Sequence, residues 1–224
     1  GCVTQRGDVT SAFDGGCGTG FYAIALRRHG VQTVGADMSP AMIASARQHA
    51  EADGADKVSW AVVPMQRLRD AVHSRVDLVL CLGNSIPHLM TRDDIDSALT
   101  NFHDVLEPNG AVICQVLNYR KMLEHDERII SIDRHAEKEF IRFYDFRSDG
   151  SVQFNILQIV WDSDNSCTHR LHSTPLWPYT DSELETALNR AGFSRIQRFG
   201  NLAFDAYDEH ASDVLLMTAR KDGA

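Results

Sequence analysis

Asp14-Gly15-Gly16-Cys17-Gly18-Thr19-Gly20 places four glycines within seven residues. Glycine reaches backbone angles that other residues avoid, and its missing side chain lets main-chain N–H groups come close to a ligand. The flanks differ in character. Residues 9–13 are short and β-prone; residues 21–29 are helical, with Gly30 placed as a C-terminal cap. A strand, a glycine turn and a helix in that order aim amide groups at whatever binds beyond the helix N-terminus.

Working outward, strand and helix continue to alternate. Residues 32–36 form the next strand. Ser39-Pro40 starts a helix that runs to about Ala52, with serine as cap and proline at the first helical position. Residues 58–63 and 76–82 are strands. Thr91 and Asp94 resemble a capping box, followed by Ile95, Ala98, Leu99, Phe102, Val105 and Leu106 at helical spacing. Pro108-Asn109-Gly110 ends that helix, and residues 111–117 form a fifth strand. Such alternation indicates βαβ units: an α/β, Rossmann-like, doubly wound and mostly parallel sheet. Between about 128 and 174 the strand-like runs 129–132, 138–146, 152–161 and 167–173 follow one another without helices. Asp149-Gly150 supplies a hairpin turn, so this region reads as an antiparallel insert after the fifth strand. Thr180 and Glu183 then fit a capping box for a helix that Gly192 ends. Strands at 194–199 and 213–220 complete a seven-stranded sheet.

Composition narrows the function classes. A chain of 224 residues suits one large domain, and 43% apolar with 24% charged residues is neither disordered nor fibrous. The net charge is −9 with no cluster of Lys and Arg, which disfavours a nucleic-acid partner. Five cysteines without a CxxC pair argue against a disulfide framework or structural zinc and point to a reducing, cytoplasmic setting. The longest apolar run, residues 76–82, is far too short to span a bilayer. Ten histidines form no HxxxH or HxH-carboxylate cluster, so no metal is expected.

The glycine turn can be read in two registers. Gly18-Thr-Gly20-Phe-Tyr-Ala23 fits the dinucleotide fingerprint GxGxxA, whereas Asp14-x-Gly16-x-Gly18-x-Gly20 fits the DxGxGxG turn that binds S-adenosylmethionine (SAM). Asp14 favours the second. A carboxylate at the end of the first strand repels a pyrophosphate and attracts the ammonium and sulfonium of SAM. Asp37, at the end of the second strand, can accept from both ribose hydroxyls of either cofactor.

With Asp14–Gly20, Asp37 and the run from Asp77 to Leu89 together, the sequence resembles the class I SAM-dependent methyltransferases. Leu82-Gly83-Asn84-Ser85, His88-Leu89 and Leu117-Asn118-Tyr119 are similar to the glycine/sarcosine N-methyltransferase group, and the likeness spans about residues 9–220. The resemblance implies that Gly16 and Gly18, with Gly20 completing the motif, lie against the aminocarboxypropyl arm. It puts Asp37 on the ribose and Met38 against the adenine. Pro64 stands where many relatives carry an adenine-binding Asp, leaving the Met65 amide and the Gln66 side chain for that edge. Leu82 to Asn84 would face the methyl group. Residues 1–120 and 175–224 would form the cofactor-binding core and 121–174 a substrate-capping insert. Relatives carry some tens of residues before the first strand, so the natural chain is expected to begin ahead of Gly1. The group grips its substrate carboxylate with an Arg where this chain has Leu117, which argues against glycine or sarcosine unless Arg120, Arg142 or another Arg takes over.

Methyl transfer from a sulfonium needs no general acid, and positioning supplies much of its rate. His88, just beyond the fourth strand, is the candidate base or orienter, with Asn84 beside it; both have competing roles in holding the loop. Asn118, Tyr119, Arg142 and Tyr144 are the candidate substrate contacts, the last two on one face of a strand. The expected activity is methyl transfer to a nitrogen or oxygen of a small molecule, releasing S-adenosyl-L-homocysteine, by a protein that does not enter the membrane and whose homo-oligomerisation stays open. The alternatives are an RNA or protein methyltransferase, whose Asn/Asp-Pro-Pro-aromatic motif is not matched at residues 83–86, a non-catalytic SAM binder and a dehydrogenase.

Overall fold

The computed structural model describes residues 9–55, 57–72, 74–163 and 166–223. Cys2 and the rest of residues 1–8, where the expected first domain begins, lie outside them.

The larger sheet has seven strands. β1 (Ser11–Gly15), β2 (Gln32–Asp37), β3 (Ser59–Val62), β4 (Val76–Cys81) and β5 (Leu106–Leu117) are parallel; β11 (Val214–Lys221) runs antiparallel to β5, and β10 (Phe193–Phe199) antiparallel to β11. The spatial order is β10-β11-β5-β4-β1-β2-β3. β1 lies between β2 and β4, so the winding reverses there and leaves a crevice beyond the carboxyl end of β1. Asp14 sits at that end, in register with Gly35 on one side and Leu80 on the other.

Alternation along the strands sends side chains to two layers. Phe13, Val79 and Cys81 pack with Leu99, Phe102 and Leu184 of α3 (Arg92–Val105) and α5 (Asp181–Arg190). Ala12, Leu78 and Leu80 pack on the other face with Tyr22 and Leu26 of α1 (Phe21–Arg28), which α2 (Pro40–Ala52) flanks. α3 buries Ile95, Ala98, Leu99, Phe102 and Val105, the apolar stripe visible in the sequence. Each large member contributes about 1.5–3 kcal/mol by leaving water. The caps form as expected: Ser39 accepts from Met42 N and Thr91 from Asp94 N, and Thr180 and Glu183 make a reciprocal capping box.

One boundary differs. Pro108-Asn109-Gly110 does not separate α3 from the fifth strand, because β5 begins at Leu106, paired with Val76. The register then jumps so that Ala111 pairs with Leu78. The four intervening residues form a bulge with Asn109 at φ 66. A Cβ on Gly110 would lie 2.8 Å from Glu107 O, so only glycine fits there. Short elements that local periodicity cannot reveal also appear: 3-10 turns at Met65–Asp70 and Ile86–His88, and α4 (Tyr119–Glu124).

The second sheet is antiparallel, in the order β6 (Ile129–His135), β7 (Lys138–Phe146), β8 (Val152–Trp161) and β9 (Cys167–Leu176). Tyr144, Phe154, Val152 and Leu176 join it to the main core. Its exit is tied to the turn after β4: Trp177 N donates to Pro87 O at 2.8 Å and Tyr179 Oη to Leu89 O at 2.6 Å. No helix among the described residues is long and apolar enough to cross a membrane.

Candidate active site

The glycine turn is held by its neighbours. Gly16 N and Cys17 N both donate to Ala36 O, at 2.8 and 2.9 Å, which staples the turn to β2. Gly16, Gly18 and Gly20 all have positive φ, but what surrounds them differs. A Cβ on Gly16 would lie 2.9 Å from Ser85, whose hydroxyl is shared between Gly16 O and Leu82 O. A Cβ on Gly20 would strike Trp60. A Cβ on Gly18 would meet nothing within 4 Å, because that residue looks into an open cleft.

The cleft has a volume of about 630 Å³ and lies beyond the carboxyl ends of β1, β2 and β4. Asp14, Gly16, Gly18, Asp37, Met38, Met65, Gln66, Leu82 and His88 line it, so nine of the sequence-predicted residues come together. Asp37 is fixed by two backbone donors: Gly18 N to Oδ2 at 3.0 Å and Ser39 N to Oδ1 at 2.8 Å. Gln66 Nε2 donates to Asp94 Oδ1 at 3.0 Å. Asp14 is 1% exposed, and its Oδ2 has no hydrogen-bond partner among the described residues. Burial pushes its pKa up to about 7; the Ala23 amide offsets this in part and the Asp37 charge adds to it. A buried carboxylate oxygen without a donor is costly unless a cation or a proton meets it. His88 stands exposed at the rim, where surrounding protein holds its pKa below the ordinary value against the opposing pull of Asp37. Cys17 is no thiolate, because burial and the two carboxylates push its pKa far up.

The other sequence-predicted residues lie outside the cleft wall. Gly20 caps α1 beneath Trp60. Asn84 has φ 64, and its Oδ1 accepts from Leu117 N at 3.0 Å while its Nδ2 donates to Tyr119 Oη at 2.9 Å. Tyr119 is buried, with its ring against Tyr144, which is itself buried. Asn118 caps α4 and donates to Glu209 O and Ser212 O, both at 2.9 Å. Arg142 pairs with Asp133 and Ser131 on the neighbouring strand.

Several cleft residues were not singled out from the sequence. Ser85 bridges the glycine turn to β4, a contact between residues 69 apart. Phe21 and Met42 are 72% and 43% exposed and, with Met38 at 70%, form an apolar mouth. Their one sequence signal is large apolar side chains close after Gly20 and around the Ser39 cap.

A methyltransferase domain model matches residues 12–110, the stretch that builds this cleft. Over that stretch the chain is similar to the methyltransferase domains, and its fold and cleft resemble those of the class I SAM-dependent methyltransferases. Within the curated proteins it is 26% identical to the glycine/sarcosine N-methyltransferase of Halorhodospira halochloris, over 98% of this chain and 78% of that one. It is also 26% identical to the glycine/sarcosine/dimethylglycine N-methyltransferase of Actinopolyspora halophila, over 95% of this chain. The chain spans only 36% of that relative's length. A SAM-dependent methyltransferase from Clostridium acetobutylicum has the same fold, with a TM-score of 0.82 at 17% identity over 95% of this chain and 84% of that one. The site suits SAM: Asp14 Oδ2 offers a buried acceptor, unpartnered among the described residues, for an ammonium, and Gly18 leaves room for close approach.

Proposed function

We propose that the chain transfers a methyl group to a nitrogen or oxygen of a small molecule by in-line displacement. The observation that carries this reading is the unpartnered, buried Oδ2 of Asp14 at the floor of the cleft. In this reading Asp14 pairs with the α-ammonium of SAM, Gly16 and Gly18 line its amino-acid arm, and Asp37 accepts from the ribose. Met38, Met65 and Gln66 border the base, and Leu82 lies toward the methyl group. When bound, SAM supplies a methyl carbon made electrophilic by its sulfonium. His88 takes a proton from the acceptor at the rim, with Asn84, Tyr119 and Tyr144 supporting the loop on which it sits. Residues 121–174 cap the acceptor side, an assignment supported by the hydrogen bonds from Trp177 and Tyr179 to the turn carrying His88. The N-methyltransferase relatives support a small acceptor. We place the protein in the cytoplasm, on the support of Cys81 and Cys114, which are register neighbours on adjacent strands yet both free.

Calorimetry with SAM, paired with an assay for S-adenosylhomocysteine over a panel of small amines and phenols, tests the reading. Micromolar SAM binding lost in Asp14→Ala is the expected result; equal affinity in the folded variant would overturn the site.

A further inference from the structure

We propose that the acceptor is an amine whose body carries no carboxylate, phosphate or other anion; this rests on the SAM-dependent transfer proposed above. The charges of the cleft carry the argument. Its walls contain Asp14, Asp37 and His88 but, among the described residues, neither Lys nor Arg. SAM brings two positive centres and one carboxylate against the two aspartates, so the loaded cleft keeps an excess of negative charge. An anionic acceptor is repelled, and a protonated amine is drawn in.

The strand ends that face this region add no anion grip. Leu82 and Leu117 are apolar, and the nearby amides are spent: Gly83 N donates to Gln115 Oε1 at 3.0 Å and Leu117 N to Asn84 Oδ1 at 3.0 Å. Arg120 and Lys121, just beyond the fifth strand, and Arg142, on the insert, are matched to carboxylates. Arg120 lies 3.1 Å from Asp181 and 3.0 Å from Glu209, Lys121 lies 2.7 Å from Asp213, and Arg142 pairs with Asp133. A carboxylate on the acceptor would have to break one of these pairs or stay without a donor.

An amine must lose its proton before it attacks. His88, neutral near pH 7 because its pKa lies below the ordinary value, takes that proton at the rim. The freed nitrogen lone pair forms the N–CH3 bond while the S–CH3 bond breaks with its electron pair going to sulfur. The products are a methylated ammonium and a neutral thioether.

The test uses matched acceptors with the full chain: glycine with glycinamide, sarcosine with sarcosinamide, tyrosine with tyramine, and glucosaminic acid with glucosamine. SAM binding is measured alongside by calorimetry. We expect kcat/KM at least tenfold higher for the anion-free member of each pair that turns over. We also expect Leu117→Arg to shrink that ratio at least tenfold with SAM affinity within twofold. Equal or better turnover of the carboxylate member overturns the proposal. So does failure of every anion-free amine while SAM still binds, an outcome that leaves the cofactor site standing. Absence of SAM binding overturns instead the reading on which the proposal rests.

Discussion

The indole of Trp60 occupies the space a side chain at Gly20 would need: a Cβ there would lie 2.5 Å from Trp60 Cη2. Gly35 on the neighbouring strand leaves the same kind of room, with a Cβ 2.4 Å from the ring. The last glycine of the motif therefore serves packing, whereas Gly18 borders the cleft.

This distinction separates two variants. Gly20→Ala combines φ 86 with the clash against Trp60 and should cost about 2–4 kcal/mol of stability. A Cβ on Gly18 meets no described atom within 4 Å, so the main cost of Gly18→Val is the left-handed backbone, about 1–2 kcal/mol, yet the variant should remove SAM binding. Denaturant unfolding and calorimetry on both variants check this. Unchanged SAM affinity in Gly18→Val would sink the assignment of that glycine.

Asp14 should make the free protein and the loaded protein respond oppositely to pH. Its folded pKa, about 7, lies above the unfolded value of 3.8, so the folded state holds the extra proton between those limits. Stability of the free protein should fall as pH rises from about 4 to 7, by up to about 4 kcal/mol relative to Asp14→Asn. Binding an ammonium needs the ionised form, so SAM affinity should climb over the same window and level off above it. Thermal unfolding and calorimetry from pH 5 to 8 measure both, and parallel curves for wild type and Asp14→Asn would rule the mechanism out.

His88→Ala should lower the single-turnover rate about 10- to 100-fold, with SAM affinity within twofold. Because its pKa lies below 6.5, the acid limb of the wild-type rate profile should fall below pH 6.5 and vanish in the variant. An unchanged rate would leave His88 a loop residue.

Asn84 ties β4 to β5 through Leu117 N and to the insert side through Tyr119. Asn84→Ala leaves the Leu117 amide without its acceptor and puts Ala, which tolerates φ 64 less well than Asn, in its place, so it should cost about 1–3 kcal/mol. Asn84→Gly loses the same bonds but relieves the backbone and should recover about 1 kcal/mol of that. Equal stability of the two variants would show that the backbone conformation is not under strain.

Some of this was legible because its causes are local. The stripe Ile95, Ala98, Leu99, Phe102, Val105 names the buried face of α3 by spacing alone, and Thr180 with Glu183 marks the start of α5 within four residues. Asp14 and Asp37 could be placed because each ends a strand beside a recognisable turn. Ser85, Trp60 and the couple of Asn84 with Tyr119 were not legible in these roles. Their partners lie tens of residues away, 69 for Ser85 with Gly16 and 35 for Asn84 with Tyr119, and no periodicity encodes such pairings.

The amino-acid order by itself determined the parallel sheet, the antiparallel insert and the carboxylate at the mouth of a glycine turn, because backbone propensity, capping and alternation act over a few residues. Only the tertiary structure decided which groups are spent and which remain available. Asn118 turned out to be a buried latch to residues 209 and 212, Arg142 a strand partner of Asp133, and Asp14 Oδ2 a buried acceptor lacking a donor among the described residues. Hydrogen-bond capacity is settled by what folding brings alongside, and only the folded chain shows which buried group is left for a ligand to satisfy.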